Sequence, residues 1–222
     1  MTDTPSSSSD FFTLYAVLRR DPHASGSGGE GTSFAEAAAA IGPRLRGLYD
    51  VSGMRADADV LLWLTGDSAE QLQADLRSLR RTRELAALLP TWNAMGVHRQ
   101  AEFSKEHAPA FARGLAPKGW VTVYPFVRSY EWYVLPAEER GRMLADHGGK
   151  GREFPQVLSN TVASFALGDY EWLLALEADD VVDLVDLMRH LRATDARLHV
   201  REEVPFFTGR RIEAGELAEV LS

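Results

Sequence analysis

One strand-like segment of the chain combines a phenol, a guanidinium and several aromatic side chains. The segment Trp120–Arg128 reads WVTVYPFVR. Because alternate side chains of a strand share one face, Tyr124, Phe126 and Arg128 are expected to point the same way. The valines between them point the other way and are interpreted as core packed against helices. A phenol, an aromatic wall and a permanent cation on one face predict a cavity for a flat, anionic ligand.

A histidine that could bind a metal follows this strand. Pro136 predicts the start of a helix and Gly148 its end, so His147 is expected at or next to the last helical residue. The segment Gly148–Arg152 is glycine-rich and basic, and as a turn it could form a nest for phosphate or carboxylate. It matches neither the P-loop nor the dinucleotide fingerprint, and no pair of histidines has the spacing of a zinc-binding helix.

The composition excludes several classes of ligand and site. A net charge of −8 gives no global attraction for nucleic acids or anionic membranes, so any anionic ligand must be held by local arginines and lysines. The absence of cysteine excludes disulfides, iron–sulfur clusters and thiolate-ligated haem. Neither a secretory signal nor an apolar run of about 18 residues is found, so a cytoplasmic location is expected.

The sequence contains an internal repeat. Thr13–Arg19 aligns with Thr122–Arg128, with threonine, tyrosine and arginine in register, and Asp67–Thr82 aligns with Asp179–Thr194 at an offset of 112. Two ordered blocks at nearly the same offset indicate a duplicated unit of roughly 110 residues.

Each repeat is predicted to fold as strand, helix, strand, strand, helix, strand, which is the ferredoxin-like order. The expected fold is therefore α+β: two ferredoxin-like halves with paired antiparallel sheets and helices on the outside. The first helices are predicted at Phe34–Leu48 and Pro136–His147. The expected organisation is a disordered tail at 1–10, an N-terminal half at 11–103, a connecting segment at 104–119 and a C-terminal, ligand-binding half at 120–222.

Four segments of the second half carry a family resemblance. YPFVRSYEWY, MLADHGGKGREFP, NTVASFALGDYEW and MRHLRATDARLHVREEVPFFTGRR closely resemble the actinobacterial coproheme decarboxylases of the chlorite dismutase-like superfamily. The resemblance is strong from about Trp120 to Arg211 and weaker in the first half. It implies a homopentamer that acts in the cytoplasm in the last step of coproporphyrin-dependent haem synthesis, in transient contact with the coproporphyrin ferrochelatase.

The family motif can be carried over residue by residue. Its axial iron ligand falls on His147, its catalytic tyrosine on Tyr124 and its propionate-holding basic residue on Arg128, while the distal base of the actinobacterial branch falls on His107. Chlorite dismutases have an arginine above the haem where this chain has Asn160, which weighs against chlorite chemistry. The substrate-binding residues implied are Tyr124, Pro125, Phe126, Val127, Arg128 and Asn160.

The implied reaction is the oxidative decarboxylation, by hydrogen peroxide, of two propionates of iron-coproporphyrin III (coproheme) to vinyl groups. Coproheme is then both substrate and redox centre, and haem b is the product. Tyr124 would be the radical that abstracts hydrogen, with Trp132 and Trp172 as substitute radical sites. Two alternatives stay open: a chlorite dismutase or haem peroxidase of the same superfamily, and a non-catalytic haem-binding module.

Overall fold

The computed structural model describes residues 11–23, 31–98 and 108–222. The first half contains β1 (Phe12–Arg19), α1 (Phe34–Ile41), β2 (Leu45–Asp50), β3 (Val60–Gly66), α2 (Ala69–Leu79) and β4 (Leu89–Val97). The second half contains β5 (Trp120–Arg128), α3 (Ala137–Gly151), β6 (Leu158–Ala163), β7 (Trp172–Ala178), α4 (Val181–Leu191), β8 (Val200–Glu202) and β9 (Phe207–Arg211), followed by α5 (Leu217–Val220). The first half has the predicted ferredoxin-like order, and the second half follows it with two closing strands, β8 and β9, in place of one. The α+β fold is confirmed. No described helix is long and apolar enough to cross a membrane.

The two sheets join into one closed barrel. The strands are hydrogen-bonded in the order β7-β6-β4-β1-β3-β2-β9-β5, and β5 pairs again with β7. The halves meet where Val97 pairs with Ala163 and where Tyr49 pairs with Arg211. Closure of the sheet gives each of the long described strands a partner on both sides, and it separates an inner face from an outer face that the helices cover.

The inner face of the barrel is a core of its own. Tyr15, Trp63, Val121, Val123 and Phe207 belong to one buried cluster there. The valine face of β5 therefore lines the barrel interior, and the prediction that it packs against helices was wrong. Period-two alternation shows that a strand has two faces, but both faces of a helix-covered barrel are buried, so alternation cannot say which one meets the helices.

The structure confirms the second block of the repeat, Asp67–Thr82 with Asp179–Thr194, and corrects the alignment of the first block. β7 and α4 have the bounds of β3 and α2 shifted by 112 residues. Tyr15, however, lies in the barrel interior, whereas Tyr124 belongs to the cluster under α4, so the alignment of these two tyrosines was wrong. Ala16 pairs with Leu62 as Tyr124 pairs with Leu174, which makes Ala16 the counterpart of Tyr124. A slip of one residue in a strand exchanges its two faces.

The first helix of each half differs from its prediction. α1 ends at Ile41 instead of Leu48, because Gly42 adopts a positive φ of 64° and a proline follows it. α3 does not end at Gly148 but continues to Gly151. His147 is therefore inside the helix, and the expected anion nest at Gly148–Arg152 was wrong because these residues are helical or cap the helix.

The glycines of α3 are retained in the helix because its end is tethered. A glycine costs a helix only about 1 kcal/mol relative to alanine. The Lys150 ammonium donates a hydrogen bond of 2.7 Å to the carbonyl oxygen of Ala193, just after α4. This contact holds the C-terminal end of α3 against that of α4, and it places His147 beside the outer face of the barrel.

The barrel ladder is interrupted beside Pro125. β5 pairs with β9 as far as Val123 and with β8 from Val127 onward. Between these two pairings lies Pro125, which has no N–H to donate. On this side of β5, opposite β7, the ladder of hydrogen bonds is therefore incomplete. The connection from β8 to β9 leaves the sheet at this gap, and Phe206 stacks on Tyr124 with ring centroids 4.4 Å apart.

Candidate active site

A pocket of about 70 Å³ lies on the outer face of the barrel, between β5, α3, α4 and the connection from β8 to β9. Its lining brings together four residues that the sequence singled out: Tyr124, Phe126, Arg128 and His147. Three of them share the outer face of β5 as the alternation predicted, and the fourth reaches the pocket from the neighbouring helix α3.

The hydrogen bonds around His147 select one form of its imidazole. The Thr194 hydroxyl donates to the carbonyl oxygen of Leu191 at 3.0 Å, so its oxygen is free to accept from His147 Nδ1, which lies 3.4 Å away. The proton of a neutral imidazole then resides on Nδ1, and Nε2 has a free lone pair. A hydrogen-bonded Nδ1–H beside a free Nε2 is the usual arrangement of a metal-binding histidine.

The electrostatic environment of His147 favours that neutral form. Burial lowers the pKa of the imidazole, and the nearby Arg128 guanidinium lowers it further, while Asp146 acts in the opposite direction. A neutral imidazole is the state that binds a metal, because protonation would occupy the lone pair.

Tyr124 presents a buried phenol to the pocket. Only 4% of the residue is exposed, and its O–H donates to the Met188 sulfur at 3.5 Å. Burial raises the pKa of the phenol well above its usual value, and the carboxylate of Glu203 raises it further, against the opposite effects of Arg192 and Arg197. The hydroxyl therefore keeps its hydrogen at all physiological pH values.

Arg128 is a cation held by aromatic rings. Its guanidinium lies 4.9 Å from the Phe126 ring centroid and 4.2 Å from that of Trp132. Burial lowers the pKa of this guanidinium from its usual value, while Tyr133 and Glu171 act in the opposite direction. Within residues 11–23, 31–98 and 108–222, no acceptor takes a hydrogen bond from the guanidinium, which leaves its donors available to an anion.

The pocket also contains a second set of charged residues that the sequence patterns did not single out. Arg192 and Arg197 donate to the same oxygen of Glu203, at 2.6 and 2.9 Å, and all three line the pocket. The repeat contained a signal for part of this set, since Arg192 and Thr194 are the counterparts of Arg80 and Thr82. Only the fold shows that these positions face a cavity in the second half.

Three of the implied substrate-binding residues do not reach the pocket. Pro125 and Val127 alternate with Tyr124 and Arg128 along β5, so their side chains lie on the other face of the sheet. Asn160 pairs with Ala175, a residue of the interior cluster, and is therefore also on the inner face. None of the three is among the residues that line the pocket, and their contact with a ligand stays a prediction.

Asn160 belongs to a polar cluster inside the barrel. Its amide donates to the Glu177 carboxylate at 2.9 Å and accepts from the Phe111 backbone N–H at 2.9 Å. Glu177 also forms a salt bridge of 2.6 Å with Arg46, and its side chain is fully buried. This cluster ties β2 to β6, β7 and the segment near Phe111, which is a structural role.

His107 lies outside the described residues, so its predicted role as a base stays a prediction. In the described part of the chain, no group of three or more histidine, aspartate or glutamate side chains could hold a metal ion. Among the residues that line the pocket, His147 is the one that offers an imidazole to a metal.

The sequence matches a known family and several of its members. Residues 27–212 match the chlorite dismutase family. The chain is 56% identical over 174 residues to a coproheme decarboxylase of Mycolicibacterium smegmatis, covering 78% of this chain and 75% of that protein. It is also 33% identical over 107 residues to a protein of Natronomonas pharaonis that is named as heme-binding, of which this match covers only 18%.

Solved structures show the same fold. A point variant of the chlorite dismutase from Candidatus Nitrospira defluvii superposes with a TM-score of 0.77 at 17% identity, over 97% of each chain. The same enzyme in complex with imidazole superposes with a TM-score of 0.75 at 16% identity, over 96% of this chain and 95% of that chain. At such low identity, these matches concern the fold alone.

Proposed function

The chain belongs to the chlorite dismutase family, and on this premise we propose that it is a coproheme decarboxylase. The reaction uses hydrogen peroxide to convert two propionates of iron-coproporphyrin III into vinyl groups, giving haem b. For each propionate, one peroxide and one proton are consumed, and one carbon dioxide and two waters are released. The 56% identity to the Mycolicibacterium smegmatis enzyme supports this substrate.

The main support for the proposal is that one pocket contains three side chains with different chemistry. His147 offers a free imidazole nitrogen, Tyr124 a protonated phenol and Arg128 a guanidinium without an acceptor in the described chain. An iron porphyrin with carboxylate side chains needs one ligand for its metal and cations for its carboxylates. Bound iron supplies the oxidising chemistry with peroxide, and the protein residues determine where that chemistry acts.

The residues fit this substrate, but the pocket as closed does not contain it. Ligand pockets commonly measure about 300–1,000 Å³, against about 70 Å³ here. The rim must therefore open when the ring binds.

In the proposed mechanism each residue has a separate task. His147 binds iron through Nε2, and Thr194 holds the imidazole in the required form by accepting from Nδ1–H. Arg128 holds a propionate carboxylate, with a charge-assisted bond that contributes about 1.5–3 kcal/mol. Tyr124 would give the hydrogen atom of its hydroxyl to the oxidant that peroxide supplies, and its oxygen would then take a hydrogen atom from the β-carbon of that propionate. The carbon radical would give its remaining electron to the same oxidant as carbon dioxide leaves and the vinyl group forms.

We also propose that His107 takes the proton of peroxide, as the family resemblance implies. A base that acts on peroxide acts before any propionate chemistry. His107→Ala should therefore slow the reaction with peroxide and leave coproheme binding unchanged in a Soret titration. Wild-type peroxide kinetics of this variant across neutral pH would remove His107 from the mechanism.

The family resemblance supports three further proposals about the setting of the enzyme. These are a homopentameric assembly, a cytoplasmic location and a transient contact with the coproporphyrin ferrochelatase that supplies the substrate. Sedimentation of the purified protein tests the first, and binding of the ferrochelatase to the immobilised protein tests the last.

The deciding experiment is mass spectrometry of anaerobically loaded coproheme during a peroxide titration. Two successive losses, each corresponding to one decarboxylation, are expected. Bleaching of coproheme without haem b would indicate a non-catalytic binding module. Rapid oxygen release from chlorite by the haem b-loaded protein would indicate a chlorite dismutase instead. Loss of the iron–imidazole signature in His147→Ala, with an unchanged circular dichroism spectrum, would identify the ligand.

A further inference from the structure

We propose that Glu203 is an internal carboxylate that competes with a substrate carboxylate for Arg192 and Arg197, and so limits how tightly the site holds its carboxylate-rich ligand. This inference rests on the proposed function, because it concerns the same pocket and the same substrate class. It assigns a role to the one acidic side chain among the residues that line this pocket.

The geometry around Glu203 is that of a shared counter-ion. The Nη1 atoms of Arg192 and Arg197 lie 2.6 and 2.9 Å from the same oxygen, Oε2. The other oxygen, Oε1, accepts no hydrogen bond from a described residue. One carboxylate therefore neutralises two guanidiniums only in part, and the cluster retains a net charge of +1.

The position of Glu203 allows this carboxylate to be displaced. It lies just after β8, on the connection that leaves the sheet beside Pro125. Its side chain is 15% exposed, and those of Arg192 and Arg197 are 41% and 39% exposed. Water can therefore reach the cluster, and the carboxylate can move away without leaving a charge in a dry interior.

In the proposed reaction, Glu203 would limit how tightly the pocket binds a ring with several carboxylates. The substrate enters with four carboxylates, and the product leaves with two. A substrate carboxylate that binds Arg192 or Arg197 replaces the ion pair with Glu203. The gain in binding free energy is then only the difference between the new ion pair and the one that is lost. The charge of Glu203 also repels the incoming anion. Both effects keep the binding of a carboxylate-rich ring from becoming too tight for release.

The test is the affinity of Glu203→Gln for two ligands, iron-coproporphyrin III and haem b, titrated into the ligand-free protein and followed by Soret absorbance. Removal of one nearby negative charge should tighten coproheme binding about fivefold at low salt. The change should be smaller for haem b, which has fewer carboxylates, and smaller at high salt because the charges are screened.

Two variants control the experiment. Glu202→Gln removes a neighbouring exposed carboxylate of β8 and should bind both ligands as the wild type does. Glu203→Asp keeps the charge and should also retain wild-type affinity, and thermal unfolding of each variant reports whether the fold is intact.

Three results would overturn the inference. Weaker coproheme binding by a folded Glu203→Gln would mean that Glu203 positions the arginines for the substrate instead of competing with it. Equal affinities of Glu203→Gln and Glu202→Gln would mean that Glu203 has no part in binding. Failure of the wild-type protein itself to bind coproheme would overturn the proposed function together with this inference.

Discussion

The two halves of the chain have the same fold, but they use the space between sheet and helices differently. In the first half, β1 turns Leu14, Ala16 and Leu18 toward the helices, and these residues belong to one continuous hydrophobic core. In the second half, β5 turns Tyr124 and Phe126 to the same side, and they line a pocket. A single architecture therefore supports a packed core in one half and a pocket in the other.

The first helices of the two halves show how the pocket arises. α1 has eight residues and buries three of them, Phe34, Ala37 and Ile41, against the sheet. α3 has 15 residues and buries Met143. The weakly packed helix above β5 leaves space that the first half fills with buried side chains. The site is thus formed by giving up packing that the other half keeps.

The largest expected contrast concerns the two tyrosines that the sequence places in register. Tyr124→Phe should abolish haem b formation while coproheme binding and its reaction with peroxide persist, because the change deletes only the O–H. Tyr15→Phe, in the barrel interior, should retain wild-type product yield. Mass spectrometry of the product measures both variants. Near wild-type yield from Tyr124→Phe would move the radical to Trp132 or Trp172.

The next contrast uses two leucines at equivalent positions of β3 and β7. Leu62 is fully buried, and Leu62→Ala should lower the free energy of unfolding by about 2–5 kcal/mol. Leu174 is only half-buried because it lines the pocket, so Leu174→Ala should cost distinctly less. Urea denaturation of the two variants compares them. Equal losses would show that the second half is as tightly packed as the first.

A smaller effect is expected from Arg128 and from Arg20, its counterpart in the first half. Arg128 lies four residues after Tyr124, and Arg20 lies four residues after Ala16. Arg128→Ala should weaken coproheme binding by about 1.5–3 kcal/mol, because it removes a charge-assisted bond to a carboxylate. Arg20 forms an exposed salt bridge with Asp59. Arg20→Ala should leave binding unchanged in the same Soret titration. An unchanged affinity in Arg128→Ala would assign the carboxylate to other cations.

The smallest effect is a pH dependence of stability due to His147. Its pKa is lowered in the folded protein, so the unfolded chain takes up the proton first as the pH falls. The unfolded chain has the ordinary imidazole pKa of about 6.5, and above that pH the neutral imidazole makes its full contribution to stability. This contribution is lost as the pH falls from about 6.5 toward the lower pKa of the folded protein. His147→Gln should show a flatter decline of stability below pH 6.5 than the wild type. The same slope below pH 6.5 in His147→Gln and in the wild type would show that this imidazole does not contribute to the pH dependence.

The sequence determined the elements and the chemistry that they carry. The alternation along β5 placed Tyr124, Phe126 and Arg128 on one face, and the 112-residue repeat located β3 and α2 together with their counterparts β7 and α4. Local spacing fixes these features, because the period of a strand and the length of a duplicated unit are properties of the chain itself. The motif around His147 also singled out a residue that the structure brings into the pocket.

Only the tertiary structure decided which face of each strand became the site. Barrel closure turned the valines of β5 inward and placed Asn160 beside Glu177, on the opposite face of the sheet from Tyr124. It also brought Arg192 and Glu203 together in the pocket, from a helix end and a connection whose contacts no local pattern specifies. Periodicity defines two faces but cannot label them, because the label depends on strands that are distant in the chain and pair only when the barrel closes.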